Sequence, residues 1–89
     1  MAAAARKGDR GIKHKTVYTI NQGSGDVFIN GRPAARVRDQ STFHAGHISK
    51  IVSGSPDVFV NGRALARVGD PLSLCTKIAP GASPDVSAN

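Results

Sequence analysis

Short apolar runs followed by turn residues set the pattern of this chain. Residues 27–29 and 58–60 are β-branched or aromatic, and each run leads into Asn-Gly. Asn-Gly favours a type I′ turn, in which both central residues take positive φ, so each run predicts the first strand of a β-hairpin. Ten glycines and five prolines interrupt the chain, and all six acidic residues are aspartate rather than the helix-favouring glutamate. The pattern predicts an all-β protein of short strands and hairpins.

The hairpins belong to an internal repeat. Residues 23–39 align without gaps on residues 54–70, with twelve of seventeen positions identical. Partial copies at both ends extend this to three units, approximately residues 5–27, 35–58 and 66–86, within one domain that spans residues 1–89. The first unit lacks its leading strand and the last unit its trailing hairpin. This complementarity favours a closed pseudo-threefold body over an open array. About four residues at the start and three at the end are expected to fray.

Every histidine and the single cysteine fall in the repeat at positions that suggest a metal site. Five residues after the first aspartate of each unit comes a nitrogen or sulfur ligand: His14, His44 and Cys75. His47 lies three residues beyond His44. Equivalent positions of a closed threefold body converge on its axis, and three imidazoles with one thiolate suit a structural zinc ion. Zinc would also stabilise a chain whose core is small for its length.

The charge is strongly basic and unevenly distributed. The net charge is +6, and five basic residues crowd the first fifteen positions, where we expect a solvated face: Arg6, Lys7, Arg10, Lys13 and Lys15. The equivalent arginines Arg6, Arg36 and Arg67 are expected to pair with the repeat aspartates or with carbonyl groups. The sequence has no run of about 18 apolar residues and no apolar signal peptide. We therefore expect synthesis in the cytoplasm and exit by machinery that reads no such signal.

The segment Pro33-Ala34-Ala35-Arg36, with Val-Arg-Asp after it, resembles the tetrapeptide that defines the PAAR-repeat family. The other two copies depart from it as Ala64-Leu65-Ala66-Arg67 and Ala3-Ala4-Ala5-Arg6. The resemblance implies a small conical β-structure that caps the trimeric β-helical spike of a type VI secretion system or contractile phage tail, one copy per trimer. It also implies a rigid point for membrane piercing, possible attachment of effector proteins, and zinc near the vertex on His14, His44, His47 and Cys75. Residues 26–29 and 57–60 are the candidates for the base or for pairing with the spike.

Two other functions are compatible with parts of this sequence. A zinc-stabilised nucleic-acid-binding module would suit the charge, but the chain has no zinc-finger spacing and few aromatic residues for base stacking. A zinc hydrolase would need an open metal position and a carboxylate base, whereas four ligands are available and the aspartates all fall on two repeat positions. The sequence therefore predicts a structural protein and no enzyme, with no nucleic acid among its partners.

Overall fold

All regular structure in the described part of the chain is β. The computed structural model describes residues 2–11, 18–42, 48–73 and 76–89, and within these ranges no helix is long and apolar enough to cross a membrane. The described residues contain twelve strands of two or three residues: β1 (Ala2–Ala3), β2 (Arg10–Gly11), β3 (Tyr18–Thr19), β4 (Phe28–Ile29), β5 (Arg32–Pro33), β6 (Gln40–Thr42), β7 (Ile48–Lys50), β8 (Phe59–Val60), β9 (Arg63–Ala64), β10 (Pro71–Leu72), β11 (Thr76–Lys77) and β12 (Ser87–Ala88). The prediction of an all-β body of short strands is confirmed.

Three strand pairs share one register and form the first layer. The hairpins β4–β5 and β8–β9 turn through Asn-Gly, with φ of 53° at Asn30 and 54° at Asn61. The glycines that follow also have positive φ, which confirms the predicted type I′ turns. The third pair joins β12 to β1, from opposite ends of the chain. The expected fraying is wrong, because this pairing buries Ala4 and Ala88 to 0% and 2% exposure.

The other three strand pairs form a second layer and close into a ring. These pairs are β2–β3, β6–β7 and β10–β11, all antiparallel. Single bridges join each pair to the next, and the last of them returns to the first pair: Ile20 with Ser41, Ile51 with Leu72, and Ile78 with Gly11. The chain is therefore closed on itself, as the complementary end units predict.

Three alanines mark the axis of this closure. The amide of Ala35 donates to the carbonyl of Ala5, that of Ala66 donates to Ala35, and that of Ala5 donates to Ala66, at 2.9–3.0 Å. All three residues are fully buried, and the repeat isoleucines pack against them in one core cluster. A larger side chain at any of these positions would overpack the axis, which explains the small residues of the repeat.

Candidate functional site

The candidate zinc ligands His14, His44, His47 and Cys75 lie outside the described residues. The strands that flank them are described. His14 belongs to the connection between β2 and β3, both other histidines to that between β6 and β7, and Cys75 to that between β10 and β11. Because these are the three pairs of the closed ring, the chain leaves and re-enters the same ring at each candidate segment.

The donor set suits zinc, although the described residues do not themselves form a metal site. Within residues 2–11, 18–42, 48–73 and 76–89, no three His, Cys, Asp or Glu side chains form a group that could hold a metal ion. Three imidazoles and a thiolate would complete a tetrahedral shell, the arrangement of structural zinc sites. Such an ion would link three segments that are far apart in sequence. The ligand assignment stays a prediction.

The first aspartate of each unit is a buried anchor for the arginine three residues before it. At Asp9, Oδ2 accepts from the Arg6 amide at 2.7 Å and from its Nε at 3.1 Å, while Oδ1 accepts from Nη2 at 3.0 Å. Asp39 with Arg36, and Asp70 with Arg67, repeat this arrangement. The predicted pairing of these arginines with repeat aspartates is confirmed.

Arg6 corrects the expectation of a solvated basic cluster at the start of the chain. It is only 5% exposed, because its guanidinium lies on the buried carboxylate of Asp9. The hydrogen bonds with Asp9 raise the pKa of Arg6 above its usual value, although burial opposes the shift. Arg6 therefore stabilises the fold, and its charge does not belong to an open basic face.

A second set of contacts joins the units through asparagine side chains, two from the hairpin turns and one from Asn89. The amide of Asn61 donates to Asp26 at 2.9 Å, and the amide of Asn30 donates to Asp85 at 2.8 Å. Asn89 completes the cycle by donating to Asp57 at 3.1 Å. The hydrogen bond from Asn61, followed by that from Ser24, lowers the pKa of Asp26, and the bonds from Asn30 and Ser83 lower that of Asp85. The sequence shows Asn30 and Asn61 only as turn residues; their second role depends on ring closure.

Exposed apolar side chains recur on the first-layer strand pairs. Phe28 and Phe59 are 56% and 59% exposed, whereas the next residue in each strand, Ile29 or Val60, is buried. Exposed valines precede these strands and β12, at Val27, Val58 and Val86. We call these five exposed residues the apolar rim. Large exposed apolar side chains at equivalent positions of a repeat are typical of a contact surface.

These features define a class of protein: a closed three-unit β-repeat with two layers of strand pairs, one of which carries an apolar rim. A comparison with curated proteins gave no match. Residues 2–49 and, overlapping them, residues 40–89 each match the PAAR motif. The matches together cover the chain from residue 2 to its last residue, and the protein belongs to the PAAR-motif family.

Proposed function

We propose that this protein is the structural tip of a contractile injection apparatus, a cone whose base caps the trimeric β-helical spike of a type VI secretion system or phage tail. One copy sits on each trimer. The observation that carries the proposal is the closed cycle of three equivalent units, seen in the ring bridges and in the axial alanines. A single chain with three similar faces can match a threefold partner, whereas a chain without internal repetition cannot.

The apolar rim supports the first-layer strand pairs as the base. The blunt end of a β-helix exposes unpaired strand edges and apolar side chains, which require a cover. The rim offers apolar contact at three related places, with a phenylalanine in two of them and Ser87 in the third. The hairpins around residues 26–29 and 57–60 therefore keep the role predicted for them, with the buried side chains of Ile29 and Val60 building the base and Phe28 and Phe59 facing the partner.

The test is binding to a trimeric spike β-helix, with stoichiometry measured by light scattering or native mass spectrometry. The proposal predicts one chain per trimer. The matched variant is Phe28→Ser with Phe59→Ser, which places at both positions the residue of the third unit. Because both phenylalanines are more than half exposed, the variant should fold but bind at least tenfold more weakly. Three chains per trimer, or unchanged affinity of this variant, would contradict the proposed base.

We further propose that zinc bound by His14, His44, His47 and Cys75 makes the opposite end rigid. Rigidity is what a piercing point requires, because a yielding end would deform under load. The ion would add on the order of 10 kcal/mol to a fold whose described residues include few large, fully buried side chains. Chelation should therefore abolish the cooperative thermal transition. An unchanged melting temperature after verified removal of the metal would contradict this part.

The proposed setting follows from the same function. The protein is made in the cytoplasm, assembled on the spike with or without an attached effector protein, and delivered outside the cell towards a target membrane. The nucleic-acid alternative is less well supported, because five arginines, namely Arg6, Arg32, Arg36, Arg63 and Arg67, are engaged by buried aspartates. Steeply salt-dependent binding to DNA would favour that alternative.

A further inference from the structure

Two of the three buried aspartates carry a second arginine, which arrives from the following hairpin. Nε of Arg63 donates to the carbonyl of Val37 at 2.8 Å, and its Nη2 donates to Oδ1 of Asp39 at 3.0 Å. Arg32 makes the same pair of contacts with the carbonyl of Lys7 and with Asp9. Each guanidinium thus joins one backbone oxygen and one carboxylate oxygen with two different nitrogens.

The third equivalent position is Ala2. It pairs with Ala88 as Arg63 pairs with Val60, so the register identifies the correspondence. The backbone agrees, because the amide of Val68 donates to the carbonyl of Ala3 just as the amide of Val37 donates to that of Ala64. At this place the carbonyl of Val68 and Oδ1 of Asp70 stand where the other two units bind a second arginine.

The third aspartate–arginine pair is more exposed than the second. In the part of the chain that the structure describes, Arg67 alone forms an ion pair with Asp70. The side chain of Asp70 is 7% exposed, against 2% for Asp39, and that of Arg67 is 21% exposed, against 12% for Arg36. The contact of Arg63 with Asp39, which has no counterpart at Asp70 among the described residues, agrees with the first difference. The second agrees with the hydrogen bond from Nη1 of Arg36 to Asn61, since Arg67 bonds to no asparagine in the described ranges.

A mainly apolar cleft lies beside this anchor. Its volume is about 470 Å³, and its lining includes Ala2, Ala3, Val68, Pro80 and Pro84. We call this cleft, together with the Val68 carbonyl and Asp70, the seam. The three methylenes of an arginine side chain can pack on such a surface while the guanidinium reaches polar atoms at one end.

We infer that the seam binds an arginine side chain presented by a partner protein. The molecule itself displays the occupied form twice, at Arg32 and Arg63, and that form requires two N–H groups held in a fixed fork. Lysine presents a single ammonium point and cannot reproduce this geometry. A single guanidinium contact is weak by itself, so the arginine must be carried by a larger binding surface. The seam occurs once per chain, and its occupant therefore binds one face of the three-unit body.

The experiment is an NMR titration of zinc-loaded protein with N-ethylguanidinium, with ethylammonium as the matched cation. The inference predicts saturable shifts of the Val68 and Asp70 amides with the guanidinium and none with ethylammonium. Ala2→Arg should abolish these shifts and raise the melting temperature, because it supplies the side chain from within. Arg63→Ala opens the equivalent place in the second unit and serves as a positive control, with N-ethylguanidinium restoring part of its lost melting temperature.

Two results would overturn the inference. One is that N-ethylguanidinium shifts the amide signals of Val37 and Asp39 in Arg63→Ala but does not shift those of Val68 and Asp70 in the unsubstituted protein. The other is an Ala2→Arg variant that is no more stable than the unsubstituted protein and whose new guanidinium makes no contact with Asp70. Neither measurement involves the spike, so failure here is distinguishable from failure of the proposed function.

Discussion

Replacing Asp39 with asparagine should destabilise the protein more than the same change at Asp70. Both substitutions remove the negative charge that holds the arginine three residues earlier. Asp39 also loses its contact with Arg63, a charge-assisted hydrogen bond of 3.0 Å, for which the described residues offer Asp70 no counterpart. The comparison therefore measures what one guanidinium at a buried carboxylate contributes to the free energy of unfolding.

The size of the difference follows from the exposure of the two groups. A hydrogen bond to a charged group contributes about 1.5–3 kcal/mol. The Arg63 side chain is 27% exposed, which places the expected difference near the lower end, at about 1.5 kcal/mol. For a domain of this length that corresponds to a melting temperature about 6–12 °C lower for Asp39→Asn than for Asp70→Asn.

Urea and thermal unfolding at equal zinc concentration measure this difference, since bound metal itself shifts apparent stability. A double-mutant cycle of Asp39→Asn with Arg63→Ala gives the coupling directly. Equal losses for the two aspartates, or a coupling energy near zero, would refute the argument that the second arginine stabilises the fold.

Three further predictions follow from the described residues. Arg38 has φ of 76° where the third unit has Gly69, so Arg38→Gly should raise the free energy of unfolding by up to about 1 kcal/mol. Gly69→Ala should lower that free energy by a similar amount because of its positive φ, although the added Cβ meets no neighbouring atom. Urea denaturation measures both changes. The pKa values of Asp26 and Asp85 are lowered in the folded state. The stability that these two carboxylates contribute is therefore present above their ordinary pKa and is lost as the pH falls through the lowered values. A melting temperature that rises as the pH falls below about 4 would contradict this. Asn61→Gly keeps the positive φ but removes the hydrogen bond to Asp26, so it should reduce that acid dependence. An unchanged pH profile would show that the bond is not responsible.

Local features of the sequence predicted much of this fold. The positive φ of Asn30 and Asn61 follows from the chemistry of Asn-Gly, and the pairing of Arg36 with Asp39 follows from a spacing of three residues. The repeat and its incomplete end units predicted closure. These features need only neighbouring residues or the comparison of one unit with another.

Contacts that depend on closure could not be predicted in the same way. Arg63 reaches Asp39 across 24 residues, and nothing in either local sequence marks the pair. Fraying was expected at the chain start because terminal residues are commonly poorly ordered; closure of the ring nevertheless supplies a partner strand for Ala2 and Ala3. Of the candidate zinc ligands, His14, His44 and Cys75 were predicted from their repeat register and His47 from its spacing to His44. All four lie outside the described residues, so this assignment stays a prediction.

X-ray absorption at the zinc edge tests the central claim, that three units hold one ion between them. The account predicts one zinc per chain, with three nitrogen ligands at about 2.0–2.1 Å and one sulfur ligand at about 2.3 Å, and loss of the sulfur shell in Cys75→Ser. A chain purified without zinc, or a metal whose coordination shell is unchanged by Cys75→Ser, would contradict it.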